Sequence, residues 1–128
     1  MEQAIISAVT HDVSEAKMTV SGVPDRPGVA ATLFRTLAAA EVNVDMIVQN
    51  VSAEGHTDIS FTLPHDQVSI ASDALTAVID DLGATGCVAD DDIARVSLVG
   101  AGMQTNPGVA ATMFETLSAA GINIEMIS

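Results

Sequence analysis

The sequence has no tryptophan, no tyrosine and only three phenylalanines. It therefore offers almost no flat rings on which nucleic-acid bases could stack. Positive charge is also scarce: four lysines and arginines stand against 17 aspartates and glutamates, for a formal charge of −13. A chain this acidic repels a phosphate backbone, so nucleic acid is excluded as a partner. The single cysteine has no second thiol for an intramolecular disulfide, which points to a reducing, cytoplasmic compartment. Apolar runs are short and fall far below a membrane span, so no membrane partner is expected. The start, Met1-Glu-Gln-Ala4, lacks the basic residues and long apolar run of a secretory leader. What the chain does have is aliphatic bulk. Hydrophobic residues make up 48% of its 128 positions, enough to offset the charge and build a packed core. That length suits one domain or two small ones.

The strongest signal is an internal repeat. The segment from Pro27 to Ile47 returns as Pro107 to Ile127 at an offset of 80, with 14 of 21 positions identical. Several of the differences are conservative, such as Val42/Ile122 and Asp45/Glu125. Upstream, Lys17 to Gly22 matches Arg95 to Gly100 at an offset of 78, so the second copy carries two extra residues in its connecting loop. A duplicated supersecondary unit accounts for this.

Each copy reads as strand, loop, helix, strand. Met18, Val20 and Gly22 alternate with Lys17, Thr19 and Ser21, the period of a half-buried strand. Val29, Ala30, Leu33, Phe34 and Leu37 fall on one helical stripe, with Pro27 placed for the first helical turn. Asn43 to Val51 is rich in β-branched residues and predicts a second strand. Glu54-Gly55 predicts a turn, and Ile59, Phe61 and Leu63 a third strand. The spacing of Val68, Ala71, Leu75, Val78, Ile79 and Leu82 predicts a helix that ends at Gly83, before a short strand at Cys87-Val-Ala89. The first copy is thus βαββαβ over residues 16–90, an α+β, ferredoxin-like arrangement of four antiparallel strands and two helices. The second copy stops after its second strand. Its sheet is expected to need strands from a continuation of the chain or from another chain. The apolar run Ala4, Ile5, Ile6, Ala8 and Val9 is a candidate strand to pad it.

Taken together, several segments resemble ACT domains, and more closely the paired ACT domains at the regulatory end of aspartokinase. They are Ser14-Glu-Ala-Lys17, Asp25-Arg-Pro-Gly28, Asn43-Val-Asp-Met-Ile-Val-Gln-Asn50 and Thr57-Asp-Ile-Ser-Phe-Thr62 in the first copy. Val96-Ser-Leu-Val-Gly-Ala-Gly-Met103, Asn106-Pro-Gly-Val109 and Asn123-Ile-Glu-Met-Ile-Ser128 follow in the second. The resemblance runs from about Ile6 to Ser128. It implies a first ACT domain at 16–90 and a second, partial one at 1–15 and 91–128. It also implies a regulatory chain or fragment without its own kinase domain, whose associated activity is ATP-dependent phosphorylation of aspartate.

The residues support amino-acid binding on their own terms. A zwitterion needs N–H donors for its carboxylate and anionic oxygens for its ammonium. Gly28 lets the backbone come close to a ligand. The helix-start N–H groups of Gly28, Val29 and Ala30, just after Pro27, suit a carboxylate. Asp25 is the candidate ammonium partner, and Gln49 a further polar contact. The resemblance implies that Asn123 and Ile124, at the second-strand start of a partner ACT unit, close this pocket. A good turn and helix start is the structural alternative for Asp25-Arg-Pro-Gly28. The second loop, with Met103, Asn106, Pro107 and Gly108, has no acid; its partner strand start would be Asn43, Val44 and Asp45, with Asp45 supplying the negative charge. That second site either recognises a different amino acid or is empty and only packs. By resemblance, threonine belongs to the first loop and lysine to the second.

Other features carry no chemistry. Gly100-Ala-Gly102 invites a dinucleotide fingerprint, but its third glycine position is Thr105. His11, His56 and His65 show no ligand spacing with Cys87, so no metal site is expected. Cys87 reads as a small buried hydrophobe, and Asp90-Asp91-Asp92 as a solvated connector. No nucleophile–base set and no phosphate-cradling loop with lysine emerges, and no cofactor is expected. Two functions stay open: an allosteric sensor that binds end-product amino acids between ACT units and acts on a kinase partner, or a structural dimerisation module with vestigial pockets.

Overall fold

The computed structural model describes residues 5–50, 52–101 and 106–127. They form two compact units, one of them Val13–Ala94, the other drawn from the described residues on either side of it. In chain order, β1 (Ile5–Asp12) and β2 (Glu15–Pro24) are followed by α1 (Val29–Ala39), β3 (Ile47–Gln49) and β4 (His56–Pro64). Then come α2 (Val68–Thr76), α3 (Ile79–Leu82), β5 (Gly86–Asp90), β6 (Arg95–Ala101) and α4 (Gly108–Ala119).

The unit Val13–Ala94 has the expected βαββαβ order. Its sheet runs β3-β4-β2-β5, with every neighbouring pair antiparallel. Alternation along β2 and β4 turns Ala16, Met18, Val20, Ile59, Phe61 and Leu63 to one face. There they meet Val29, Leu33 and Leu37 of α1 and Ala71 and Leu75 of α2 in a single buried cluster. Phe34 packs edge-on against Phe61, with ring centroids 5.9 Å apart at 73°, a favoured aromatic geometry. The opposite phase is polar, and Thr19 and Ser60 share a 2.8 Å hydrogen bond across it.

Three departures from the sequence expectation lie within Val13–Ala94, and a fourth lies in the other unit, where the second strand expected for the second copy does not form over residues 122–127. The strand expected over Asn43–Val51 shrinks to Ile47–Gln49, while Val51 lies outside the described residues. The cause is Thr62, which takes up the pairing capacity of this stretch. Its carbonyl accepts from Asp45 N–H at 3.0 Å, its N–H donates to Met46 O at 3.0 Å, and its hydroxyl accepts from Met46 N–H at 3.0 Å. With both Asp45 and Met46 bonded to Thr62, a regular ladder starts only afterwards. The helix expected from Val68 to Leu82 breaks into α2 and α3. Thr76 turns its hydroxyl back onto Ser72 O at 2.8 Å, and β-branched Thr76, Val78 and Ile79 crowd the turn. Gly83 ends α3 in the left-handed conformation, at φ +79°, as its position suggested. Finally, Pro27 lies outside α1, whose N-cap is Gly28.

In the other unit β1 pairs antiparallel with β6, so the N-terminal apolar run does join a strand of the second copy. Asp12 and Arg95 meet at the end of this ribbon, 4.0 Å apart. The packing is thin. Val109, Met113 and Leu117 of α4 are the repeat counterparts of Val29, Leu33 and Leu37, yet none of them is fully buried. Two strands and a helix offer too little apolar surface to enclose a core. Among the described residues no helix is long and apolar enough to cross a membrane.

Stability should therefore reside in Val13–Ala94. Phe61, fully buried, should cost about 3–5 kcal/mol on replacement by alanine. Val9→Ala, at a position 64% exposed, should change stability by no more than about 0.5 kcal/mol. Urea unfolding of the two variants checks the contrast.

Candidate functional site

The chain leaves the sheet at Val23 and Pro24 and turns sharply into α1. Two backbone bonds fix that turn. Asp25 N–H donates to Gly55 O at 2.8 Å, tying the loop to the tip of the β3–β4 hairpin, and Arg26 N–H donates to Pro24 O at 3.1 Å. Gly28 then takes φ +91°, a conformation open to glycine and strained for other residues. Its carbonyl accepts from both the N–H and the hydroxyl of Thr32, each at 3.0 Å, which sets the first helical turn.

A pocket of about 350 Å³ opens beside this turn, within the size range of small-molecule sites. Val23 and Ile59 give it an apolar floor, with Pro24 and Pro27 at its rim. Asp25, Arg26, Gln49 and Thr57 bring polar groups, while Gly28 and Ala30 bring the helix start. No side chain caps α1. Among the described residues the N–H groups of Gly28 and Ala30 have no backbone partner outside the helix. A Cβ built on Gly28 would meet nothing within 4 Å, so the space over the turn is open. An acidic residue, a basic residue and a helix start thus line one small volume. That set complements a molecule carrying both an ammonium and a carboxylate.

Of the residues expected to bind, Asp25, Pro27, Gly28, Ala30 and Gln49 line this pocket together. Val29 does not: its side chain is buried in the core, and its N–H makes only a 3.5 Å contact with Arg26 O. Asn123 and Ile124 lie exposed beyond α4, in the other unit. In the second loop Met103 falls outside the described residues. Asn106 O accepts from Val109 N–H at 3.3 Å, Pro107 is the N-cap of α4, and Gly108 is its first residue. That helix start differs from the first, because its N-cap is right-handed at φ −65°. Asn43 donates its N–H to Gln67 Oε1 at 2.7 Å, Val44 packs against the core, and Asp45 is exposed with its N–H on Thr62 O.

Sequence reasoning missed Val23, Pro24, Arg26, Thr57 and Ile59. One signal was available for Thr57. It shares the strand phase of Ile59, Phe61 and Leu63, so a hydroxyl was being placed on the buried face. Thr57 is indeed buried and donates to Asn50 O at 2.6 Å. Cys87 is half-buried, not enclosed, and that burial pushes its thiol up from its ordinary value. Among the described residues no three His, Cys, Asp or Glu side chains gather into a possible metal site.

Comparison with known proteins agrees with the fold. The ACT domain family profile fits residues 18–78 and 96–128. The aspartokinase of Mycolicibacterium smegmatis is 51% identical over 130 residues, covering 100% of this chain and 31% of that protein. The chain thus spans 31% of the length of that curated relative. Among solved structures, that of aspartokinase alpha and beta subunits superposes with a TM-score of 0.87 at 42% identity, covering 97% of this chain and 81% of that one. The regulatory subunit of aspartate kinase from Thermus flavus gives 0.89 at 37% identity, covering 98% and 82%.

Gly28→Ala should destabilise the chain by about 1–2 kcal/mol, because a Cβ is strained at positive φ, even though it meets no atom. Thermal unfolding measures this. A neutral result would mean that the turn relaxes to negative φ.

Proposed function

Since the chain belongs to the ACT domain family and resembles the regulatory regions of aspartokinases, we propose that it is an amino-acid-sensing part of an aspartokinase. The observation that supports this most is the meeting of Asp25, Arg26 and the Gly28–Ala30 helix start around one pocket. In this scheme the Asp25 carboxylate receives the ligand ammonium. The Gly28 and Ala30 amides, with the Arg26 guanidinium, receive its carboxylate. Gln49 and Thr57 face its side chain over the Val23 and Ile59 floor. The pocket favours a short side chain with both a polar and an apolar face, which suits threonine. Asn123 and Ile124, as the strand start of a second ACT unit, are assigned to close it. Lysine is assigned to the second loop, opposite Asp45.

A ligand held by two units at once binds best to one relative arrangement of them. Such differential affinity is the only way an effector can shift an attached kinase toward an inhibited state. A coupling of about 1–3 kcal/mol is typical of such devices. The proposed partners are a second copy of the chain and the aspartokinase catalytic domain or subunit, in the cytoplasm, with feedback inhibition of aspartate phosphorylation as the outcome.

L-Threonine should raise the melting temperature of the protein, stabilising it by about 2.7 kcal/mol at a hundred-fold excess over its dissociation constant. Asp25→Ala should fold normally and lose the response. No shift at millimolar threonine or lysine, with the same oligomer by sedimentation in their presence and absence, would leave a structural dimerisation module as the function.

A further inference from the structure

Strand β2 does not run straight into the pocket. Its pairing with β4 shifts register between Val20 and Val23, and Gly22, inside the shift, has φ +64°. Side chains alternate along a strand, so residues three apart such as Val20 and Val23 would face opposite sides of the sheet without this bulge. With it, both are buried on the helix-covered side, at 0% and 1% exposure. The bulge therefore puts Val23 in the pocket floor and fixes where Pro24 and Asp25 begin the binding turn, a common use of bulges beside sites.

Both neighbouring strands grip this bulge. On the β4 side, Asp58 Oδ1 accepts from Gly22 N–H at 3.0 Å. On the β5 side, Thr85 donates its N–H and its hydroxyl to Ser21 O at 2.9 and 3.0 Å. The fit is close: a Cβ at Gly22 would lie 2.7 Å from the Thr85 hydroxyl oxygen. Asp58 is also the residue whose carbonyl accepts from Asn50 N–H at 3.1 Å, so it joins the bulge to the hairpin that carries Gln49 and Gly55. It does not itself line the pocket. The second copy does not repeat the device: Gly100, the counterpart of Gly22, pairs with Ile6, and the extra residue of the β1–β6 pairing is Ser7 on β1.

We propose that Asp58 is a positioning residue for the Asp25 pocket: its carboxylate clamps the Gly22 bulge and thereby presets the binding turn. This rests on the reading of that pocket as an amino-acid site. A charged acceptor on a backbone N–H is the stronger kind of hydrogen bond, and losing it frees the segment that carries Asp25.

Two readouts on the full chain test the clamp. In the ligand-free protein, Asp58→Ala should speed amide hydrogen exchange at Gly22 and Asp25 while leaving Leu37 in the core unchanged. In calorimetric titration with L-threonine it should weaken binding by about ten-fold, as expected for loss of one hydrogen bond to a charged group. Asp58→Asn, whose amide oxygen still accepts, should restore both to near wild type. If Asp58→Ala does not fold, Thr85→Val, which removes only the hydroxyl half of the opposite grip, should give the same direction of change in local exchange and in affinity. Wild-type exchange at Gly22 and Asp25 in these variants overturns the clamp, as does wild-type affinity. Should the wild-type protein itself take up no threonine, the amino-acid reading falls. The exchange comparison then decides the clamp alone.

Discussion

The unit Val13–Ala94 depends on the phase of one strand. β2 lies between β4 and β5, so its backbone is bonded on both edges and its side chains have only two directions. Ala16, Met18 and Val20 go inward under the helices, while Lys17, Thr19 and Ser21 go to the polar side. Because Ala16, Met18 and Val20 of β2 are fully buried, a one-residue slip would exchange these two sets and expose the apolar one. The Gly22 bulge is the one place where that phase is deliberately changed, and it stands directly before the pocket. Core and site are thus set by the same strand.

The two copies show how far a repeated sequence determines structure. Both place a helix after a Pro-Gly turn, but the extra residue of the register shift lies on the glycine's own strand in the first copy and on β1, at Ser7, in the second. Their helices nevertheless meet different surroundings. Leu33 and Leu37 are enclosed by strands and α2, whereas Met113 and Leu117 are only half-buried. Helix burial comes from the elements laid against a stripe, not from the stripe itself. The loops differ too. Gly28 caps its helix in the left-handed conformation, while Pro107 caps the other in the right-handed one. Near-identical helices therefore begin on two different corners.

Much of this was legible in the residues. Period-two and helical spacing located β2, β4, α1 and β5, and the repeat marked the turn at Asp25–Gly28 as something more than a connector. What escaped was tertiary in origin. No pattern in Asn43–Met46 announces that Thr62 takes the bonds of two successive residues. A single helical stripe from Val68 to Leu82 hides the break at Ala77 and Val78, since spacing survives a turn that hydrogen bonds do not. Val29 was expected at the site through its amide, and its side chain proves to anchor α1 in the core. Thr57 and Ile59 were overlooked because only the folded hairpin brings β4 beside the loop.

The central claim is that a helix-start cradle, one acid and one base form a receptor for a small zwitterion. Titrating ¹⁵N-labelled protein with L-threonine, and following backbone amide shifts residue by residue, tests it most directly. The account predicts saturable shifts concentrated at Asp25, Gly28, Ala30 and Gln49, with Leu75 and other distant core residues unmoved. Shifts absent at millimolar ligand, or confined to residues outside that pocket, would contradict it.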